Sequence, residues 1–372
     1  MKKQKMITLA VVTVVAIVVG LVAFDKWLSH KDKVRKKHAG KNTLYALKKV
    51  SLTDDQLNNY GSTGEFELYP YLMFKARPNF KSPTVNTNSF GFRGPEVFAK
   101  TKDIYRIVIV GASTAFGGMS TSDEKTFYKV LERNLNKNLS KDNRRYEVIC
   151  GAMPSYNSMQ ELILIEMKIL KMEPDMVIIL DGFNDAINYL ARDSRAGYPD
   201  MFKDLEKYTN TKAFFKMRLR KIRIIRKIME HYEKKEAMSQ KAFDPAVVEF
   251  YGDNLDIMCH LLKSYSIAPV LVTQPAIHYK QPLSQPENDY AKDDSLMSRK
   301  GFIELYDALA KAAQGVAIKN NVPYVDARYI YNGNNETLFT DDCHPNDRAQ
   351  EMLAGALTKT VSEKIELQSL KK

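Results

Sequence analysis

Ser113, Asp341 and His344 are side chains that together could carry acyl transfer. A serine hydroxyl attacks a carbonyl carbon when a base takes its proton, and histidine is the side chain suited to that near neutral pH. A carboxylate must hold the imidazole in the correct tautomer. In "TDDCHPND", Asp341 precedes His344 by three residues. Ser113 lies far upstream, in "RIVIVGASTAFGG", where a β-branched run stops abruptly in small residues. The oxyanion that develops during attack needs hydrogen-bond donors, each typically worth about 3–4 kcal/mol. The N–H of Ser113, the N–H of Gly151 in "CGAMPSYNS" and the amide of Asn184 in "DGFNDA" are the candidates.

Each of these residues has an ordinary alternative when taken singly. Ser113 and Gly151 are also what turns at strand ends are made of. Asn184 and Asp185 suit a helix cap, and that is the reading preferred for Asp185. Asp341, Asp342 and Asn346 suit turns, and His344 before Pro345 suits a loop. His260 and His278 have no comparable setting and are read as structural. Two competing motifs are missing. No Lys-Ser or Lys-Thr follows Gly117-Gly118, as a P-loop would require, and the G-x-G-x-x-G spacing of dinucleotide folds is absent.

For the distant residues to meet, the chain must bring several loops to one edge. Short apolar runs at 106–110, 146–150, 175–181, 269–274 and 322–327 read as buried strands. Helical patterns at about 122–138, 158–171, 247–264, 299–320 and 347–365 alternate with them. That rhythm predicts a parallel sheet covered on both faces, a three-layer α/β/α sandwich with a five-stranded, flavodoxin-like sheet. Such a sheet gathers its strand ends along one rim, where open α/β folds bind ligands. Residues 65–98, with "YPYLMFKARPNF" and "NTNSFGFRGPE", read as extended chain draped over a domain.

The four blocks Gly111-Ala112-Ser113 with Gly117, Gly151, Gly182-Phe183-Asn184-Asp185, and Asp341-Asp342-Cys343-His344 resemble the SGNH/GDSL hydrolase family. The resemblance spans about residues 104–360, and "NSFGFRG" looks like a bacterial envelope branch of it. It implies Ser113 as nucleophile, Gly151 and Asn184 completing the oxyanion hole with Ser113, and His344 as base oriented by Asp341. It implies no organic cofactor. One position departs from the pattern: Ala112 stands where the family name carries Asp, which alters hydrogen bonding around the serine turn.

The 372 residues carry a net charge of +12, with 44% apolar and 27% charged residues, ordinary for a globular chain attracted to anions. Charge alone is the sole argument for nucleic acid, so no nucleic-acid partner is expected. The three cysteines, Cys150, Cys259 and Cys343, lack metal spacing, and no metal is expected. Cys150 and Cys343 each adjoin a site residue, which suggests a disulfide, against the rule that strand neighbours point to opposite faces.

Residues 1–5 form a short basic tail, and the uncharged run 6–24 is predicted as a transmembrane anchor. At 1.5 Å per residue that run spans about 28 Å. Residues 25–100 are read as a juxtamembrane stalk and extended segment, and 101–372 as the hydrolase domain, with a basic helical insertion at about 185–245. Within that insertion, 212–230 holds eight Lys/Arg before Glu230, with Leu219, Ile222, Ile225 and Met229 at helical spacing. It suits contact with anionic lipid or polymer, or simply packing as a lid. Basic residues flank the anchor on both sides, and a plain charge count keeps the domain in the cytoplasm. The esterase reading favours the extracytoplasmic side of the membrane.

The expected activity is a serine esterase removing an O-acyl group, such as O-acetyl, from an envelope glycan or lipid. An O-acyltransferase in polysaccharide assembly would use the same triad. A non-catalytic envelope protein retaining the fold is the alternative of another class.

Overall fold

In the computed structural model, which describes residues 66–139, 143–192, 197, 244–293 and 301–369, a parallel sheet forms the centre. The described chain enters through a hairpin, β1 (Phe66–Tyr69) and β2 (Met73–Ala76). The sheet is built from β3 (Ile104–Gly111), β4 (Arg145–Cys150), β5 (Met176–Asp181), β6 (Ala268–Thr273) and β7 (Tyr324–Asp326). Its order is β4-β3-β5-β6-β7, with every pair parallel, the flavodoxin-like arrangement. The helices are α1 (Ser113–Phe116), α2 (Phe127–Asn138), α3 (Ser158–Leu164), α4 (Phe183–Arg192), α5 (Pro245–Ser264), α6 (Gln285–Asp293), α7 (Phe302–Asn320) and α8 (Asp347–Ser369).

Residues of β3, β5 and β6 are buried throughout, which is why these strands read as continuous apolar runs. Alternate side chains serve opposite layers. Val108, Val110, Val177 and Ile179 pack with Leu164 of α3, Leu255 of α5 and Leu309 of α7. Ile107, Ile109, Ile178 and Leu180 pack with Leu131 of α2 and Leu357 of α8. Each such aliphatic side chain contributes about 1.5–3 kcal/mol when fully buried. The same division overturns the expected disulfide. Cys150 lies in the α2/α8 layer and Cys343 in the α3/α5/α7 layer, and both are free and buried.

Strand β4 is an edge, and its outer side is covered rather than open. Asn136 of α2 donates to the Tyr146 carbonyl at 2.7 Å and accepts from its N–H at 3.0 Å, while Glu132 accepts from the Val148 N–H at 2.8 Å. That leaves little free backbone for another strand to pair with.

The domain begins earlier than residue 101. Leu72, Ala76 and Phe92 are buried in the core, and Arg93 is 1% exposed. Gln160 of α3 donates to the Leu72 carbonyl at 3.0 Å, and Thr87 and Arg93 bridge to one another before Arg93 bridges to Cys150 at the end of β4. The segment holds a hairpin and is built into the core, so it is more than extended chain laid over the domain, while the stalk expected from residue 25 onward lies outside the described residues up to residue 65. Residues 1–65, including the predicted span 6–24, and the basic helix 212–230 lie outside the described residues. Among the described residues no helix is long and apolar enough to cross a membrane.

Candidate active site

Strand β3 ends at Gly111, whose φ of +149° and surroundings require glycine: a Cβ there would sit 2.2 Å from the Leu180 carbonyl oxygen and 2.7 Å from Ala115 Cβ. The chain thus turns hard against β5 and enters the single-turn helix α1 at Ser113. Being first in that turn, Ser113 has no intrahelical acceptor for its N–H. Ala112 caps the turn without a side-chain bond, so the departure at this position leaves α1 uncapped by a side chain.

His344 reaches this turn from the segment between β7 and α8. Its Nε2 lies 2.7 Å from Ser113 Oγ, and its Nδ1 lies 2.6 Å from Asp341 Oδ2. The three-residue spacing has a local cause. Asp341 Oδ1 accepts the N–H groups of Cys343 at 3.0 Å and His344 at 2.9 Å, so the loop curls around its own carboxylate and leaves Oδ2 for the imidazole. From below, Glu287 accepts from the N–H groups of Leu338 and Phe339 at 2.9 and 3.0 Å. Glu287 is itself paired with Lys280 at 2.7 Å, both side chains fully buried.

The charges follow from these contacts. Burial works to raise the Asp341 carboxyl, but the charge and hydrogen bond of His344, with the two loop N–H groups, hold it below the ordinary carboxylate range. Burial works to lower His344, but the Asp341 carboxylate overrides it and lifts the imidazole well above its usual value. Such a unit can accept a proton from Ser113 and stabilise the imidazolium that results. One ligand atom each from Asp341, Cys343 and His344 also falls within 4.8 Å. The carboxylate and both ring nitrogens are already engaged with one another and with Ser113, which leaves the group better suited to proton transfer than to a cation.

The oxyanion side differs from the expectation. Gly151 reaches the rim, but its N–H donates to the Ile109 carbonyl at 2.8 Å and extends the β3–β4 ladder, so it is not free to meet an oxyanion. Glycine stands there because of packing: a Cβ would come within 3.0 Å of Ile169 Cδ1 and 3.1 Å of Val108 Cγ1. Asn184, in the first turn of α4, donates Nδ2 to the Tyr156 carbonyl at 2.7 Å, leaving its second amide hydrogen for another acceptor. Next to Tyr156, Ser155 has a φ of +66° and an N–H with no partner among the described residues. A glycine would have advertised this left-handed position; a serine hides it.

Asp185 also behaves differently. It accepts from the Ser158 N–H and from Ser158 Oγ, the latter at 2.6 Å, and so secures the start of α3 rather than serving only its own helix. Beside it lie two further buried carboxyls, Glu161 and Asp181; Tyr251 donates to Asp181 at 2.7 Å. Burial, then the neighbouring carboxylates, raise Glu161, and likewise push Asp181 to about 8; burial pushes Asp185 to about 6. His278, read as structural, lies tilted against Phe302 with ring centres 4.6 Å apart; its Nε2 is 3.8 Å from Asp342 Oδ1, neither ring nitrogen has a hydrogen bond, and burial lowers it to about 4. His260 is on the exposed face of α5, bonded to the Asp256 carbonyl at 2.8 Å.

Two positioning contacts escaped sequence reasoning. Thr114 Oγ1 donates to the Cys343 carbonyl at 2.9 Å and accepts from Gln274 Nε2 at 3.2 Å, tying the serine turn to the histidine loop. Arg93 grips the other end of the same turn. Nothing in either residue's neighbourhood in sequence signals a partner so far along the chain.

Residues 58–357 match the family model of GDSL-like lipase/acylhydrolase. The sequence matches no curated protein at a significant level. Among solved structures, a lipase/acylhydrolase from Enterococcus faecalis is similar at 17% identity and a TM-score of 0.42, over 70% of this chain and 96% of that one. An α/β hydrolase from the Lake Arreo metagenome is similar at 14% and 0.45, over 69% and 95%. An acetyl xylan esterase, AlAXEase, is similar at 16% and 0.42, over 69% and 99%. Because the family model covers most of the sequence, from before the hairpin well into α8, the chain belongs to the GDSL-like lipase/acylhydrolase family and is an ester-hydrolysing serine hydrolase.

Proposed function

We propose that the protein removes an O-acyl group, such as O-acetyl, from an envelope glycan or lipid through an acyl-enzyme on Ser113. The observation that carries this reading is the unbroken line from Asp341 Oδ2 through His344 to Ser113 Oγ, with contacts of 2.6 and 2.7 Å. Ser113 Oγ attacks the ester carbonyl while His344 Nε2 takes its proton. The oxyanion is met by the Ser113 N–H, the second amide hydrogen of Asn184 and the N–H of Ser155. His344 returns the proton to the departing alkoxide, and the same sequence with water as nucleophile releases the acid and frees Ser113.

The setting proposed is a single-pass anchor at 6–24 with the catalytic domain outside the cytoplasm, where envelope glycans lie, and helix 212–230 in contact with anionic lipid or polymer. The supports are the length of the apolar run and the basic, amphipathic pattern of the helix. The test is acetate release from an O-acetylated oligosaccharide by the full chain, with and without an unacetylated acceptor. Release lost in Ser113→Ala is the expected result. Transfer to the acceptor in place of release would make the protein an acyltransferase, and unchanged release in Ser113→Ala would overturn the mechanism.

A further inference from the structure

Helix α1 is one turn of four residues, and such a turn cannot hold itself. Nucleation fixes several dihedrals for a single hydrogen bond; in the turn that follows, the Gly117 carbonyl accepts from the Ser120 N–H at 3.0 Å, and the Phe116 carbonyl needs a donor from elsewhere. In this protein the partner comes from the segment before the sheet. Arg93, 1% exposed, donates Nη1 to the carbonyls of Phe116 at 3.0 Å and Gly117 at 2.6 Å. Its Nη2 donates to the Thr84 carbonyl at 2.6 Å, and its Nε to Asp123 Oδ1 at 2.7 Å. Its guanidinium carbon stands 5.3 Å from the centre of the Phe116 ring. The backbone of Arg93 meanwhile bridges Cys150, the last residue of β4, from which the loop to Ser155 departs. One residue therefore touches both pieces of chain that bear the proposed backbone donors.

We infer that Arg93 is a positioning residue of the oxyanion side: it fixes the turn carrying Ser113 relative to the loop after β4. The inference rests on Ser113 being the nucleophile. A buried guanidinium is a costly way to obtain stability alone, since apolar packing of similar volume commonly does as well. Its planar fork, in contrast, holds four acceptors at fixed angles, which the single point charge of lysine cannot do. It also gives "NSFGFRG" a physical role, that of delivering Arg93 to the serine turn.

The test uses Arg93→Lys and Arg93→Ala in the full chain, with an aryl acetate as substrate and thermal melting as a check on folding. Folded Arg93→Lys should lose about 100-fold in kcat with KM within about twofold, the signature of a displaced reacting group. Added guanidinium ion should restore kcat of Arg93→Ala in a saturable manner. Wild-type kcat in a folded Arg93→Lys variant, or a loss confined to melting temperature, would overturn the inference. Failure of the underlying reading would look different: wild-type hydrolysis itself would not depend on Ser113.

Discussion

The two halves of the site are held in opposite ways. The histidine loop is organised at its centre by its own residues, on a footing that Glu287, Tyr290 and Ile277 supply from outside. Asp341 folds its own backbone around one carboxylate oxygen and presents the other to His344, all within four residues. The serine turn is organised from outside, by Arg93 at its end and by Thr114 through the Cys343 carbonyl. A local unit is robust because few other elements must be right for it to form. A turn held by remote groups depends on the whole fold, so small changes far away in sequence can alter its chemistry.

This contrast can be broken at several points, with effects of falling size. Asp341→Asn removes the orienting charge and should cost about 10⁴ in kcat. It should also move the acid limb of kcat/KM. In the wild type, activity falls as pH drops through the His344 pKa, which Asp341 holds above 6.5. Without that carboxylate the limb should move to lower pH, as a pH–rate profile would reveal. On the oxyanion side, Asn184→Ala should lose about 10²–10³ in kcat with little loss of stability. Gly151→Ala should do the reverse. Its new methyl crowds Ile169 and Val108, costing about 1–3 kcal/mol in urea unfolding, while kcat stays within a few-fold. Since alanine keeps the N–H, a large kcat loss in folded Gly151→Ala would mean that crowding at this position displaces the oxyanion side.

Cutting the tie between the halves, Thr114→Val should lower kcat about tenfold, with Thr114→Ser restoring it. The smallest effect concerns stability. Glu161, Asp181 and Asp185 have folded pKa values raised above their ordinary ones, so the stability they contribute is full in acid and is lost as pH climbs toward about 6 for Asp185 and about 8 for Asp181. Glu161→Gln removes one of the three buried titrating groups at nearly constant shape. Its melting temperature should therefore fall less than that of the wild type between pH 5 and about 8.5, the two proteins converging in acid.

What was legible in the sequence follows the same division. The sheet strands could be read because β3, β5 and β6 are buried on both faces and therefore consist of continuous apolar residues. Asp341 and His344 could be paired because their contact is local. The hairpin β1–β2 has four residues per strand, too few for an alternation to stand out. Arg93 and Thr114 were hidden because a residue's type does not disclose a partner that only the fold brings near. Gly151 misled for a related reason. A glycine at a strand end can serve packing or an oxyanion, and only the ladder bond to Ile109 separates the two.

The central claim is that Ser113 is the residue acylated. Treatment of the folded chain with a fluorophosphonate, followed by peptide mass spectrometry, tests it directly. The predicted result is one adduct on Ser113, absent in Ser113→Ala and sharply slowed in His344→Ala. An unlabelled wild type, or an adduct on a residue other than Ser113, would contradict the account.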